Sequence, residues 1–149
     1  MHARPAVVKD IRNVFNSPAK RCLDEIECAG YTFAQAKDVF RARHKSGAAQ
    51  ALIFRDEVLA VIAWGPGEAL GRPIIGTYFL AQEEFFTDEV PSVRFGRKFM
   101  RELQAHVGNL PLVSMCWGTH PEIERWYRLM GYRLAETFGR QRNFVLDPR

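Results

Sequence analysis

The strongest constraint on this chain is a strand–helix–strand unit in its second half. Residues 74–80, Ile-Ile-Gly-Thr-Tyr-Phe-Leu, are apolar on both alternating faces, which suits a central strand covered on each side. A helical stretch follows from Pro91 to about Val107, with Phe95, Phe99, Leu103 and Val107 along one face and Met100 flanking it. Residues 112–117 then form a second apolar strand. Two such strands joined through a helix lie in one sheet with a right-handed crossover.

The rest of the chain arranges itself around that unit. Residues 3–7 read as a short strand, and Lys9-Asp10-Ile11 starts a helix carrying Ile11, Val14 and Phe15 on one side. Pro18 is expected to open a second helix, capped by Asn16 or Ser17 and ended at Gly30. Thr32 begins a third, which stops near Ser46-Gly47. Residues 51–55 and 58–64 read as a hairpin turning at Asp56-Glu57. The breakers Gly65, Pro66, Gly67, Gly71 and Pro73 predict a loop from 65 to 73. Thr119-His120-Pro121-Glu122 reads as a capping box before a short helix ended by Gly131, and two strands, 132–138 and 143–146, close the chain. The expectation is a single α/β domain spanning residues 1–149, with a mixed, mainly antiparallel sheet and helices on both faces.

Composition narrows the function classes. At 47% hydrophobic and 26% charged residues the chain is globular in type, not disordered or fibrous. Its longest apolar stretch, residues 58–64, is far short of the roughly 20 needed to cross a bilayer, so no membrane partner is expected. No apolar leader is read at the N-terminus, and three cysteines without a CxxC pair argue against a disulfide framework or a metal site. A reduced, cytoplasmic chain is the expectation. The net charge of +4 helps approach to anionic partners without naming one.

Several strings resemble the GNAT acyltransferase superfamily. Ala3-Arg4-Pro5-Ala6 followed by Lys9-Asp10-Ile11 is similar to its first strand and helix start, and Trp126-Tyr127-Arg128-Leu129-Met130-Gly131-Tyr132 to its penultimate element. A narrower likeness is to GNAT-like proteins of short-tailed phages, including their small internal virion protein. It rests on Cys28-Ala29-Gly30, Ile74-Ile75-Gly76-Thr77, Arg94-Phe95-Gly96-Arg97-Lys98, and His120 through Arg125-Trp126 to Gly131-Tyr132. The resemblance covers nearly the whole chain. It implies transfer of an acetyl group from acetyl-CoA to an amine. The narrower likeness implies instead a non-catalytic virion component or host-protein binder, found in the host cytoplasm or the virion interior. A homodimer is compatible with either.

The resemblance also distributes roles. It places the pantetheine arm along residues 74–80, with Phe79, Leu80 and Ala81 beside the thioester, and the pyrophosphate at the start of the next helix, at Arg94, Phe95, Gly96, Arg97 and Lys98. The family's phosphate loop is Arg/Gln-x-x-Gly-x-Gly/Ala. With Gly96 on its first glycine, Val93 stands at the basic position and Lys98 at the last small one. Arg94, Arg97, Lys98 and Arg101 form one basic stripe, read as a solvated face, as phosphate capture, or as a nucleic-acid or protein surface. A Gly96 that is only helical would tolerate alanine.

Tyr127 matches the position of a general acid in many of these enzymes, although it also lies on an apolar stripe with Ile123, Trp126 and Met130. Glu83 or Glu84, just past the central strand, is the candidate to take the amine's proton. His120 reads as a first-turn residue and Cys116 as a buried structural cysteine.

Overall fold

The computed structural model describes residues 1–149. Its elements follow in the order β1 (His2–Pro5), α1 (Val8–Asn16), α2 (Lys20–Cys28), α3 (Phe33–Lys45), β2 (Ala49–Phe54), β3 (Glu57–Ala69), β4 (Arg72–Ala81), α4 (Ser92–His106), β5 (Leu112–Cys116), α5 (Ile123–Leu129), β6 (Arg133–Phe138) and β7 (Gln141–Leu146). A 3₁₀ turn, Glu83–Phe86, lies between β4 and α4. All seven strands form one sheet in the order β1-β2-β3-β4-β5-β7-β6, and only the β4–β5 pair is parallel. The α/β class and the mainly antiparallel sheet match the expectation.

The first helices form where their ends are satisfied. Asp10, the third residue of α1, turns back to accept the Val7 N–H at 2.8 Å and binds Arg4 of β1 through both oxygens, at 2.7 and 3.0 Å. Thr32 and Gln35 make a reciprocal capping box at the start of α3. The expected cap of α2 at Asn16 or Ser17 is not used. Ser17 instead closes α1, its N–H donating to Val14, and the buried Ala19 opens α2 while its own N–H donates to the Ala81 carbonyl at 2.8 Å. Anchoring to the end of β4 outweighs side-chain capping there.

The loop expected at 65–73 is not a loop. β3 and β4 pair without interruption from Ala60↔Ala81 to Ala69↔Arg72, and the turn is made by Leu70 and Gly71, both at positive φ. The prolines survive in this hairpin because of parity. Ile75 donates its N–H outward, to Pro111, so the main chain of Pro73 also faces away from β3, and Pro66, opposite Ile75, faces away from β4. Neither ring removes a bond that the hairpin needs. Gly65 makes room for Arg43 of α3, whose guanidinium a Cβ would strike at 2.3 Å and which reaches the Tyr78 ring at 5.9 Å.

At α5 the predicted capping box also fails to form. The helix starts at Ile123 with Glu122 as its uncapped N-cap, and His120 lies ahead of it, accepting the Glu122 N–H on Nδ1 at 3.2 Å. Behind α4, the buried Gln104 donates to the carbonyls of Leu110 and Leu146, each at 3.0 Å, and so fixes the helix to the last strand.

Candidate functional site

The ladder between β4 and β5 is short. Ile75 pairs with Leu112 and Gly76 with Val113, and beyond them the strands separate. Because Ile75 turns its N–H toward β5, alternation turns the main chain of Phe79 the same way, into the gap. Leu80 uses its main chain on β3, opposite Val61, and the Ala81 carbonyl is taken by Ala19. Of the three residues expected beside a thioester, Phe79 is therefore the one with a peptide edge turned to the opening. Leu80 contributes its side chain to the gap, and Ala81 is core.

A cleft of about 610 Å³ opens at this gap, within the range of small-molecule sites. Tyr78 points toward α3, where it meets Arg43, while Phe79 points the opposite way and packs on Trp126 of α5 at 5.7 Å. The cleft therefore passes through the sheet. One mouth lies between α2 and α3, at Ile26, Tyr31 and Phe40, and the other lies at Ser92, Val93 and α5.

Tyr127 faces this cleft from α5. Its phenol oxygen is 2.6 Å from the Ser114 hydroxyl of β5, and its ring is stacked on Phe144 at 4.4 Å. Burial holds the phenol well above its ordinary pKa, so it keeps its proton at neutral pH. If Ser114 donates to the phenol oxygen, the phenol proton is free for the cleft.

Glu25 is the site residue that the sequence did not single out. It reaches from α2 to the end of β5, where it accepts the Trp117 N–H at 2.6 Å, the Gly118 N–H, and the Cys116 thiol at 3.3 Å. A Cβ on Gly118 would lie 2.5 Å from the Glu25 carboxylate, so a side chain there would displace Glu25 from its peptide partners. Arg142 of β7 holds the following peptide by donating to the Gly118 carbonyl at 2.9 Å. Glu83 and Glu84 lie elsewhere: both are exposed on the 3₁₀ turn and neither lines the cleft. The two buried thiols near the cleft hold their protons at neutral pH. Burial pushes Cys22 up to about 11, and burial with the neighbouring Glu25 pushes Cys116 up to about 12.

The basic stripe on α4 divides. Arg94, Arg97 and Lys98 are exposed, Lys98 only 3.7 Å from Glu102, whereas Arg101 is tied to Gln104 and to the Asp147 carbonyl, both at 2.7 Å. In the first turn the N–H groups of Val93 and Arg94 have no acceptor. Phe95 turns inward and stacks on Phe99 at 5.6 Å. Gly96 serves helix packing: a Cβ there would lie 2.6 Å from the Met130 sulfur, beneath α5. Gly96 is thus not merely helical, and the condition for tolerance of alanine is not met. Gly96→Ala should lower stability by about 1–2 kcal/mol, overpacking exceeding the gain in helix propensity. A melting temperature equal to or above that of the parent would show that Met130 yields. No group of three His, Cys, Asp or Glu side chains is placed to hold a metal ion.

No family model and no curated protein sequence matches the chain. Solved structures do. The GNAT domain of S. lividans PAT superposes with a TM-score of 0.74 at 16% identity, over 97% of this chain and 89% of that one. The chain has the GNAT fold. The polyamine N-acetyltransferase of Drosophila melanogaster, which forms N-acetylagmatine, gives 0.70 at 10% identity, covering 98% of this chain and 99% of its own. A GNAT family acetyltransferase from Brucella melitensis, solved in complex with acetyl-CoA, gives 0.59 at 14% identity, covering 99% and 88%. These superpositions, at such low identity, show a shared fold. No helix of the chain is long and apolar enough to cross a membrane.

Proposed function

We propose that this GNAT-fold chain transfers an acetyl group from acetyl-CoA to a primary amine. The observation that carries the reading is one cleft holding both the free peptide edge of Phe79 and the hydroxyl of Tyr127. The residues present suit the coenzyme: the β4–β5 gap accepts an extended amide chain as an added strand would, and the buried indole N–H of Trp126 lacks a protein acceptor. The unpaired N–H groups of Val93 and Arg94, with the side chains of Arg94, Arg97 and Lys98, supply donors and charge for phosphates where the family's small residues are missing.

Acetyl-CoA supplies the activated acyl carbon. The Phe79 N–H polarises the thioester carbonyl as the amine nitrogen attacks the carbon. Glu25, in place of Glu83 or Glu84, takes the amine's proton, and Tyr127 delivers its own to the sulfur as the carbon–sulfur bond breaks. Solvent restores the phenol proton and removes that on Glu25 before the next turnover.

The test is a melting curve of the full chain with and without acetyl-CoA. At 100 times the dissociation constant the coenzyme should add about 2.7 kcal/mol, or about 5–10 °C for a chain of this size. An unchanged curve at millimolar acetyl-CoA overturns the reading. It would favour the second one, a GNAT-shaped virion or host-interaction protein of phage type, which Val93 at the loop's basic position and Lys98 at its last small one support. That reading predicts co-sedimentation with particles or stable capture of a host protein without coenzyme. A nucleic-acid role for the exposed Arg94, Arg97 and Lys98 predicts affinity falling steeply from 50 to 200 mM salt.

A further inference from the structure

Glu25 is a half-buried carboxylate in no ion pair, because Arg142, on the other side of Gly118, gives its hydrogen bond to the Gly118 carbonyl. Its partners, two peptide N–H groups and a thiol, are neutral. Arg21, one turn back on α2, lies instead over the Phe86 ring at 4.0 Å. Carboxylates withdrawn from water are paired as a rule, because desolvation without a counter-charge is costly. Beyond Glu25 the cleft continues between α2 and α3, where its walls are Ile26, Ala29, Tyr31, Ala36, Val39 and Phe40. A negative charge therefore stands at the inner end of an apolar, aromatic-lined arm, on the side of the sheet opposite the start of α4.

We infer that, on the acetyl-transfer reading above, the acceptor is a small primary amine on an apolar body, with no anionic group and no second cation. The ammonium pairs with Glu25 and gives it one proton, the neutral amine attacks the thioester, its second proton leaves to solvent as the amide forms, and the apolar body fills the arm between α2 and α3. A carboxylate next to the amine would meet Glu25 at close range and be repelled. A second ammonium on a long acceptor would be desolvated against Ile26 and Val39, where α2 and α3 line the cleft with no carboxylate besides Glu25. The cleft volume, about 610 Å³ in total, also has to hold the thioester end of the coenzyme, which leaves room for a compact molecule.

The experiment compares three acceptors at saturating acetyl-CoA, read by thiol release from the full chain. They are 2-phenylethylamine, phenylalanine (the same body with a carboxylate) and spermidine. The expected kcat/KM for 2-phenylethylamine is at least tenfold above either of the others; equal or better use of phenylalanine or spermidine overturns the inference. Glu25→Gln should raise the KM for 2-phenylethylamine at least tenfold while leaving the melting shift by acetyl-CoA unchanged, and an unchanged KM overturns it. Should that variant not fold, binding to the parent decides: 2-phenylethylamine is expected to raise the melting temperature and 2-phenylethanol is not. Equal shifts from the amine and the alcohol show that Glu25 does not read the charge and overturn the inference. A chain that acetyl-CoA fails to stabilise overturns the transfer reading itself. The amine–alcohol comparison then still decides whether the arm selects a cation.

Discussion

Tyr127→Phe is expected to lower kcat by about 100-fold or more, the scale of a general acid's contribution, with little change in the KM for acetyl-CoA. The thiolate released as the carbon–sulfur bond breaks needs a proton, and the Tyr127 phenol is the donor that faces the gap between β4 and β5. The phenylalanine ring preserves the stack on Phe144, so the fold loses little more than the hydrogen bond to Ser114, about 1 kcal/mol. Stability and activity are thereby separated in one substitution. The pH profile gives a second check. Burial raises the Tyr127 pKa above its ordinary value near 10, so the protonated acid persists across the working range, and the parent should show no alkaline fall in kcat from this group below about pH 10. A Tyr127→Phe variant retaining kcat within threefold would reduce Tyr127 to a core residue, the role that its apolar stripe equally suggests.

The parts of this molecule legible in its sequence are those set by local period. The apolar residues 74–80 lie within β4 at the middle of the sheet, and the Phe95, Phe99, Leu103 face of α4 turns inward, because burial on a strand or helix face writes itself into neighbouring positions. The hairpin arm at 65–73 was illegible for the opposite reason. Whether a proline breaks a strand depends on which neighbour its missing N–H faces, and that is fixed by the register of β3 on β4 and of β4 on β5. Glu25 shows the same limit at the site. In the sequence it is one of several acids on α2, beside Asp24 and Glu27, and only the fold brings it to peptides 92 and 93 positions away in the chain. Glu83 and Glu84 looked better placed because they follow β4 directly, yet the 3₁₀ turn directs them to solvent. The stripe on α4 was correctly seen as basic. What could not be read was the capture of Arg101 by Gln104 and the Asp147 carbonyl, contacts set by how α4 sits beside the chain's end.

Removing the Asp10 carboxylate is expected to be among the most damaging changes to a polar side chain away from the cleft. Asp10 is buried at the start of α1, and Arg4, its partner on the edge strand β1, is about 42% exposed. Asp10→Ala takes away two charge-assisted bonds to Arg4 and the acceptor of the Val7 N–H, which ties β1 to α1 and satisfies that helix end. The freed guanidinium can hydrate, so no unpaired charge is left buried, and the cost should be about 2–3 kcal/mol, less than for a fully enclosed pair. Burial by itself would raise the Asp10 pKa, but the hydrogen bonds from Arg4 and Val7 outweigh it, and the net shift is downward. A carboxylate whose folded pKa is depressed stabilises the fold at every pH above its unfolded value, near 3.9. That contribution is lost as pH falls through the folded value. The stability gap between parent and Asp10→Ala should therefore be constant from neutral pH down to about 4 and narrow below it, when read by denaturant midpoints across that range. A gap that stayed open at the acid end would mean that Asp10 acts through shape and not through its charge. The ion pair between β1 and α1 would then be incidental to the packing of Ile11, Val14 and Phe15 beneath it.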